Sequence, residues 1–246
     1  MKKKFIIIML ALALTASSTA CSAGKNNSEG NPGDSNIFES IPDDGASEGS
    51  SSEASEGASE EDETPDTSDP VAGSISGNTY ENKVYNIKFT LSDGYRFATE
   101  EEIKSLNTSI GDIDIFKNNK AAKKALDDGA SITAAYAIDN TKGRNVTVTL
   151  KKIGSANTEE AILEAEKETV VKDFEGQGLT GITAEVEKVT FLGEEHPSLK
   201  ISGTFNGAKL NRRILCLVKD NYISLYDASG LDDEYDAELL NATTLE

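Results

Sequence analysis

The chain has 246 residues, with 24 Lys and Arg against 43 Asp and Glu, for a net charge of −19 at pH 7. So acidic a balance excludes nucleic acid as a partner, because that binding rests on cations that neutralise phosphates. One histidine and two cysteines are too few for a four-ligand structural zinc site or a disulfide-rich scaffold.

Lys2, Lys3 and Lys4 precede an apolar run from Phe5 to Leu14, and small residues from Thr15 to Ala20 lead to Cys21. Basic, apolar, then small is the order of a secretory signal. The apolar part falls short of the roughly 20 residues that cross a bilayer as a helix. Ending on a cysteine, the segment resembles a bacterial lipoprotein signal. Thr19 and Ala20 fit that pattern, and Ser18 stands where an aliphatic residue is usual. The resemblance implies cleavage before Cys21 and diacylglycerol, then a further fatty chain such as palmitate, on that residue. It places the protein at the cell membrane, lipid-anchored on the extracytoplasmic face. One chain binds a bilayer only marginally and two give a stable anchor, at about 0.8 kcal/mol per buried CH₂. The alternative is an ordinary signal peptide cut after Ala20, since Ser18 and Ala20 are both small. Residues 1–20 are assigned as signal peptide and Cys21 as the lipid-attachment residue. With Cys21 modified, Cys216 has no disulfide partner; within the apolar run 214–218 it reads as a buried, inert thiol.

Residues 21–75 read as a disordered acidic tether. Between Ser22 and Ile75 there are fourteen acids and one lysine, among Ser, Gly and Ala. Too little apolar surface is present to offset the entropy of ordering such a chain. As a flexible linker it spans on the order of 40 Å, and self-repulsion extends it. The apolar break at Ile37, Phe38 and Ile41 is too short to fold alone; a docking motif and a chance cluster are both open.

The folded domain is expected over 76–246. Period-two alternation predicts strands over 79–85 and 87–91, with a turn at Ser92, Asp93 and Gly94. Thr99 with Glu102 three residues on is a capping box, and Ile103 and Leu106 give that helix an apolar side. Tyr80-Glu81-Asn82, Tyr85-Asn86-Ile87-Lys88-Phe89, Leu91 and Asp93-Gly94-Tyr95 resemble the opening hairpin of PsbP-like domains. Ser92 stands where those domains often carry proline, and Tyr95 where they carry tryptophan. The resemblance implies a fold, an αβα sandwich, and does not carry photosynthesis with it.

A second helix is predicted over 113–128, ending at Gly129, with Ile113, Phe116, Ala121, Ala125 and Leu126 as apolar positions. Strands follow over 131–138 and 145–150. Asn157 with Glu160 starts the longest helix, to about Phe174, whose stripe is Leu163, Val170 and Phe174, widened by Ile162 and Ala165. Strands are expected over 184–192, 198–205, 210–218 and 222–226, with Asn206-Gly207 as the strongest hairpin signal. A short helix over 232–240 docks through Leu239 and Leu240. Hairpins rather than crossovers join most strands, so the fold class is α+β: an antiparallel sheet flanked by helices.

No catalytic constellation emerges. His196 is placed in a tight turn, with Glu194 and Glu195 as sequence neighbours. There is no G-x-S-x-G elbow, P-loop, G-x-G-x-x-G or H-E-x-x-H. Asp232, Glu234 and Asp236 mimic the start of a calcium loop, but Ala237 replaces its glycine and Thr243 its last acid. Those acids, like Asp112 and Asp114, are explained as helix N-terminal charges. Tyr80, Tyr85 and Tyr95 either line an exposed patch or cover the sheet. The expectation is a non-catalytic binding or assembly module, held to the membrane through lipid on Cys21. An envelope protein or small ligand would be its partner, with no cofactor, no metal and no nucleic acid. The alternative is an exported hydrolase using Asp or Glu residues that no motif marks.

Overall fold

The structure is a computed structural model that describes residues 69–154 and 158–245. The signal segment 1–20, Cys21, the tether up to residue 68 and Asn157 lie outside the described residues. A three-stranded antiparallel sheet comprises β1 (Ser74–Ser76), β2 (Thr79–Asn82) and β3 (Ile87–Thr90). The main sheet has seven strands in the order β4-β5-β6-β10-β9-β8-β7. These are β4 (Arg96–Phe97), β5 (Ser131–Asp139), β6 (Arg144–Lys152), β7 (Thr180–Phe191), β8 (Glu194–Phe205), β9 (Ala208–Lys219) and β10 (Tyr222–Gly230), all pairing antiparallel. The helices are α1 (Glu100–Leu106), α2 (Asn119–Asp127), α3 (Glu159–Gly176) and α4 (Ala237–Leu240). The α+β class expected from the hairpin-rich order is the class the chain adopts.

The main sheet separates two cores. Ile162, Leu163, Val170 and Phe174 of α3 seat on Leu199, Ile201, Ile214, Cys216 and Leu225. On the other face Tyr80, Ile87 and Phe89 of the small sheet join Ile103 and Leu126 of α1 and α2 against Val148, Leu215 and Tyr226. Of the stripe expected on α3, Ala165 is exposed; Glu166 beside it pairs with Lys151 of β6 at 3.4 Å.

Local chemistry sets the boundaries. Thr99 caps α1, both halves of its capping box are formed, and the Arg96 guanidinium helps hold the Glu102 carboxyl down to about 2. Leu106, expected on the apolar side, is 41% exposed. α3 begins one residue later than expected, with the Thr158 side chain accepting from the Ala161 N–H. α2 begins six residues later than its apolar spacing suggests. The Asp114 carboxylate accepts from the N–H groups of Phe116 and Lys117, which closes a turn, and Asn118 then caps the helix. Ile115 reaches the core from that turn rather than from a helix.

The domain also starts earlier than residue 76. Val71 and Ala72 are buried, held by Asn82, whose amide donates to the Val71 carbonyl at 2.9 Å, and by Tyr80, whose hydroxyl donates to Ala72 at 3.2 Å. The same Asn82 accepts from Val84 and Tyr85 and so ends β2 three residues before the expected limit. At the other terminus, Thr243 pairs with Lys88 of β3.

Two hairpins of the long meander turn through paired positive φ, the twist that suits two-residue loops. Asn206 and Gly207 (φ 50° and 82°) join β8 to β9, as the sequence suggests. Leu192 and Gly193 (φ 53° and 84°) join β7 to β8, so the strand expected to run to Leu192 stops one residue earlier and the turn is shorter than the expected 193–197. Phe174→Ala, which empties the middle of the core under α3, should cost about 3–5 kcal/mol in a urea titration; a loss below about 1 kcal/mol would mean that α3 is not seated as described.

Candidate functional site

His196 is in β8, not in a turn. It pairs with Val189 of β7, its Nδ1 lies 2.9 Å from Glu159 at the start of α3, and Phe191 meets its ring edge-on. Pro197 follows where the pairing of β8 with β9 has ended, since Ser198↔Leu215 is the terminal pair. A residue without an N–H is tolerated there. Cys216 is fully buried, and burial pushes its thiol up to about 12, which fits the inert role expected of it. Tyr80 and Tyr85 are buried and Tyr95 half-buried, so they cover the sheet and form no exposed patch.

The acids of 232–236 precede α4 rather than open it. Asp232, Glu234 and Asp236 are the counter-ions of two buried arginines, not dipole-favoured helix starts, and Asp236 makes no side-chain cap at α4. Arg144 of β6 donates through Nε to Asp232 at 2.8 Å and through Nη2 to Glu234 at 3.1 Å. Arg213 of β9 donates through Nε to Asp236 at 2.5 Å, and through Nη1 to Glu187 at 2.9 Å and Ser198 at 2.6 Å. Asn211 donates to the Asp232 carbonyl at 2.9 Å, and Lys209 meets Asp233 at 3.1 Å. Residues 231–236 therefore form a strap pinned to β6 and β9. Bonds from Asp232 raise the Arg144 guanidinium above its ordinary value. For Arg213, burial works against the charge and is outweighed by bonds from Asp236 and Glu187, so the net direction is again upward. On the opposite face Arg212 is paired with Asp227 and lies 5.6 Å from the centre of the Phe174 ring.

Register explains why the arginines gather there. Residues directly opposite in neighbouring strands share a face. One such row runs Ala137, Val146, Ala228, Arg213, Lys200, Glu185 from β5 to β7. The next runs Ala135, Val148, Tyr226, Leu215, Ser198, Glu187. Each row is apolar where the small sheet and α1 and α2 cover it and polar or charged towards β7. Arg213 stands at the changeover, with the strap as its lid. Beyond it Glu185 and Lys200 are exposed, Lys200 reaches Glu187 at 3.9 Å, and Thr183 meets Ser202 at 2.9 Å. This charged half-face of β7, β8 and β9, bounded by the strap, is the candidate functional surface. Two shallow depressions lie elsewhere. One of about 300 Å³ is lined by Ser74, Ser76, Thr79, Glu81 and Lys88; the other, of about 220 Å³, lies between α1 and the 113–116 turn. The paired carboxylates of the strap each face a guanidinium, an arrangement that fixes charge and position rather than poising a proton for transfer.

No family model matches the chain, and no curated protein matches it. Solved structures with a similar fold include cyanobacterial PsbP from Synechocystis sp. PCC 6803, at 12% identity and a TM-score of 0.41, covering 70% of this chain and 95% of that one. They also include LpqN of Mycobacterium tuberculosis, described as involved in cell envelope biogenesis. That likeness is at 13% identity and a TM-score of 0.33, over 70% of this chain and 87% of that one. At identities and scores this low, neither likeness conveys an activity or a partner.

Arg213→Met should destabilise the protein by about 3–5 kcal/mol, because it leaves Asp236 buried without its cation. The double variant Arg213→Met/Asp236→Asn should recover part of that loss in urea titrations; equal losses in both would show that the pair is not coupled. Burial also lifts the Tyr95 and Tyr235 hydroxyls to about 12. Unfolded tyrosine titrates near about 10 and gives up its proton first. Their contribution is therefore whole below about pH 10 and drains away as the pH rises towards 12. Urea midpoints should hold to about pH 9 and then fall; a midpoint unchanged at pH 11.5 would show that these hydroxyls are not buried.

Proposed function

We propose that this chain is a lipid-anchored, extracytoplasmic protein whose folded domain is a non-catalytic binding or assembly module. The order of its N-terminal features carries the proposal: three lysines, an apolar run, small residues, Cys21, an acidic stretch, and then a compact domain whose core begins at Val71. Lipid on Cys21 ties the chain to the membrane, and the acidic tether stands the domain off from anionic headgroups by charge repulsion as well as by length. The domain supports the binding role with a rigid sheet that presents a charged half-face beside the strap. Its partner is an envelope protein or a small ligand, not nucleic acid. The exported-hydrolase alternative draws no support from the clustered carboxylates, since Asp232, Glu234, Asp236 and Glu187 are each committed to an arginine.

Mass spectrometry of the mature N-terminus tests the anchor. The wild-type product should begin at Cys21 with diacylglycerol on its sulfur and fractionate with membranes, and Cys21→Ala should shed or mislocalise the chain. An unmodified Cys21 on protein recovered free in the medium would overturn the proposal.

A further inference from the structure

The seven-stranded sheet ends on β7, whose outer side meets no other strand among the described residues. Thr180–Phe191 is among the longest strands of the chain, far longer than the two-residue β4 at the other edge. Such an edge is a template for pairing with another chain; charges along it blunt unwanted pairing, and opposite charges across a strand pair favour it. We infer that β7 is a docking edge for an extended segment of a partner protein that carries basic residues opposite Glu185 and Glu187. This rests on the binding-module reading of the domain and names the chemistry of its partner.

Charge selects among three occupants. A second copy laid antiparallel along β7 about a two-fold axis must pair residues of like parity, so that opposed side chains share a face. Centred on Val186, that arrangement opposes Glu185 with the other copy's Glu187; centred on Glu187 or Lys188, it opposes each with itself. Every one of these registers places like charges directly opposite, which destabilises a strand pair. Registers centred further out, on Ala184 or Val189, avoid that clash but overlap only a few residues of the regular run from Thr183 to Phe191, because the register breaks between Thr180 and Thr183. The chain's own tether is a poor match too: its fourteen acids and single lysine would meet the same two glutamates. A basic strand is attracted where both of these are repelled.

Alternation defines the rest of the partner. On the α3 side Ile182, Ala184 and Val186 are only partly buried, although they pack on the core beneath that helix. An added strand with apolar residues opposite Ala184 and Val186 would extend that core outwards. On the other side Glu187 meets Arg213 and Lys200 through Oε1, and basic residues opposite Glu185 and Glu187 would bring a cation of the partner to each carboxylate, extending the rows through Lys200 and Ser198. The match is a strand alternating basic and β-branched residues, with backbone hydrogen bonds supplying affinity and the alternate side chains supplying choice.

The test uses the full chain and two labelled nine-residue peptides that alternate charged and β-branched residues. One has lysines placed to oppose Glu185 and Glu187; the other has glutamates at the same positions. The lysine peptide should bind saturably, shift the amide resonances of 180–191, and outbind the glutamate peptide by about tenfold, the order that two cross-strand pairs supply when they swing from attraction to repulsion. Glu185→Lys, at an exposed position, should narrow or reverse that preference. Failure of both peptides to bind, equal affinities, an unaltered preference in Glu185→Lys, or resonance shifts confined to other strands would overturn the inference. None of those results touches the acyl chains on Cys21, so the anchoring proposal fails or stands separately.

Discussion

Strands β9 and β10 are buried on both faces, and that double burial decides where the other elements go. Ile214 and Cys216 look towards α3 while Leu215 and Leu217 look towards the small sheet, and Ile223 and Leu225 of β10 alternate with Tyr226 and Ala228 in the same way. Strands that are apolar on both sides need two covers. One is α3, with Phe174 and Leu163 fully buried beneath it. The other is built from short pieces: the three-stranded sheet, α1, α2, and a C-terminal segment that folds back to pair with β3. This second cover is too narrow for the whole sheet, and the surface it leaves is the charged half-face ending at β7.

The arginines mark that limit. A guanidinium at the changeover can lay its stem on apolar neighbours while its head meets carboxylates. Arg213 and Arg144 do so against the strap, which closes the core where neither helix nor small sheet extends. Buried pairs of this kind add little stability compared with apolar residues of the same shape, but losing one partner is costly. Their role here is to fix the strap in one place. Arg212 performs the corresponding task on the other face, between Asp227 and the Phe174 ring.

Much of this fold was legible in sequence, for identifiable reasons. The capping box at Thr99 and Glu102 and the Asn206-Gly207 hairpin are local signals, and both formed as read. So did the Leu163, Val170 and Phe174 stripe, because 3.6-residue spacing is a property of one element alone. The failures came where local signals competed. Ile113 and Phe116 have roughly helical spacing, yet the Asp114 carboxylate captures the N–H groups that would have started a helix. His196-Pro197 resembled a turn, since proline is rare in sheets, and only the register shows that β9 has already parted from β8 there. Leu192 gave no warning of a turn, since a leucine seldom takes positive φ. The arginine clamp was out of reach, because Arg213 finds Asp236 across 23 positions and Arg144 finds Asp232 across 88. Its one sequence trace was the density of acids over 232–236, assigned to a helix end that begins only at Ala237. Cys21 is the reverse case: the proposal for it rests on the sequence alone, because it lies outside the described residues.

A domain whose centre is covered twice and whose β7 edge meets no further strand among the described residues should not exchange its amide hydrogens uniformly. Native-state hydrogen exchange on the full chain, resolved by residue, measures that contrast directly. Amides of β9 and β10 should exchange only through global unfolding, while alternate amides of β7, those turned away from β8, should exchange orders of magnitude faster. Uniform protection along β7, equal to that of β9, would mean that the edge is already occupied and would contradict the layered arrangement described above.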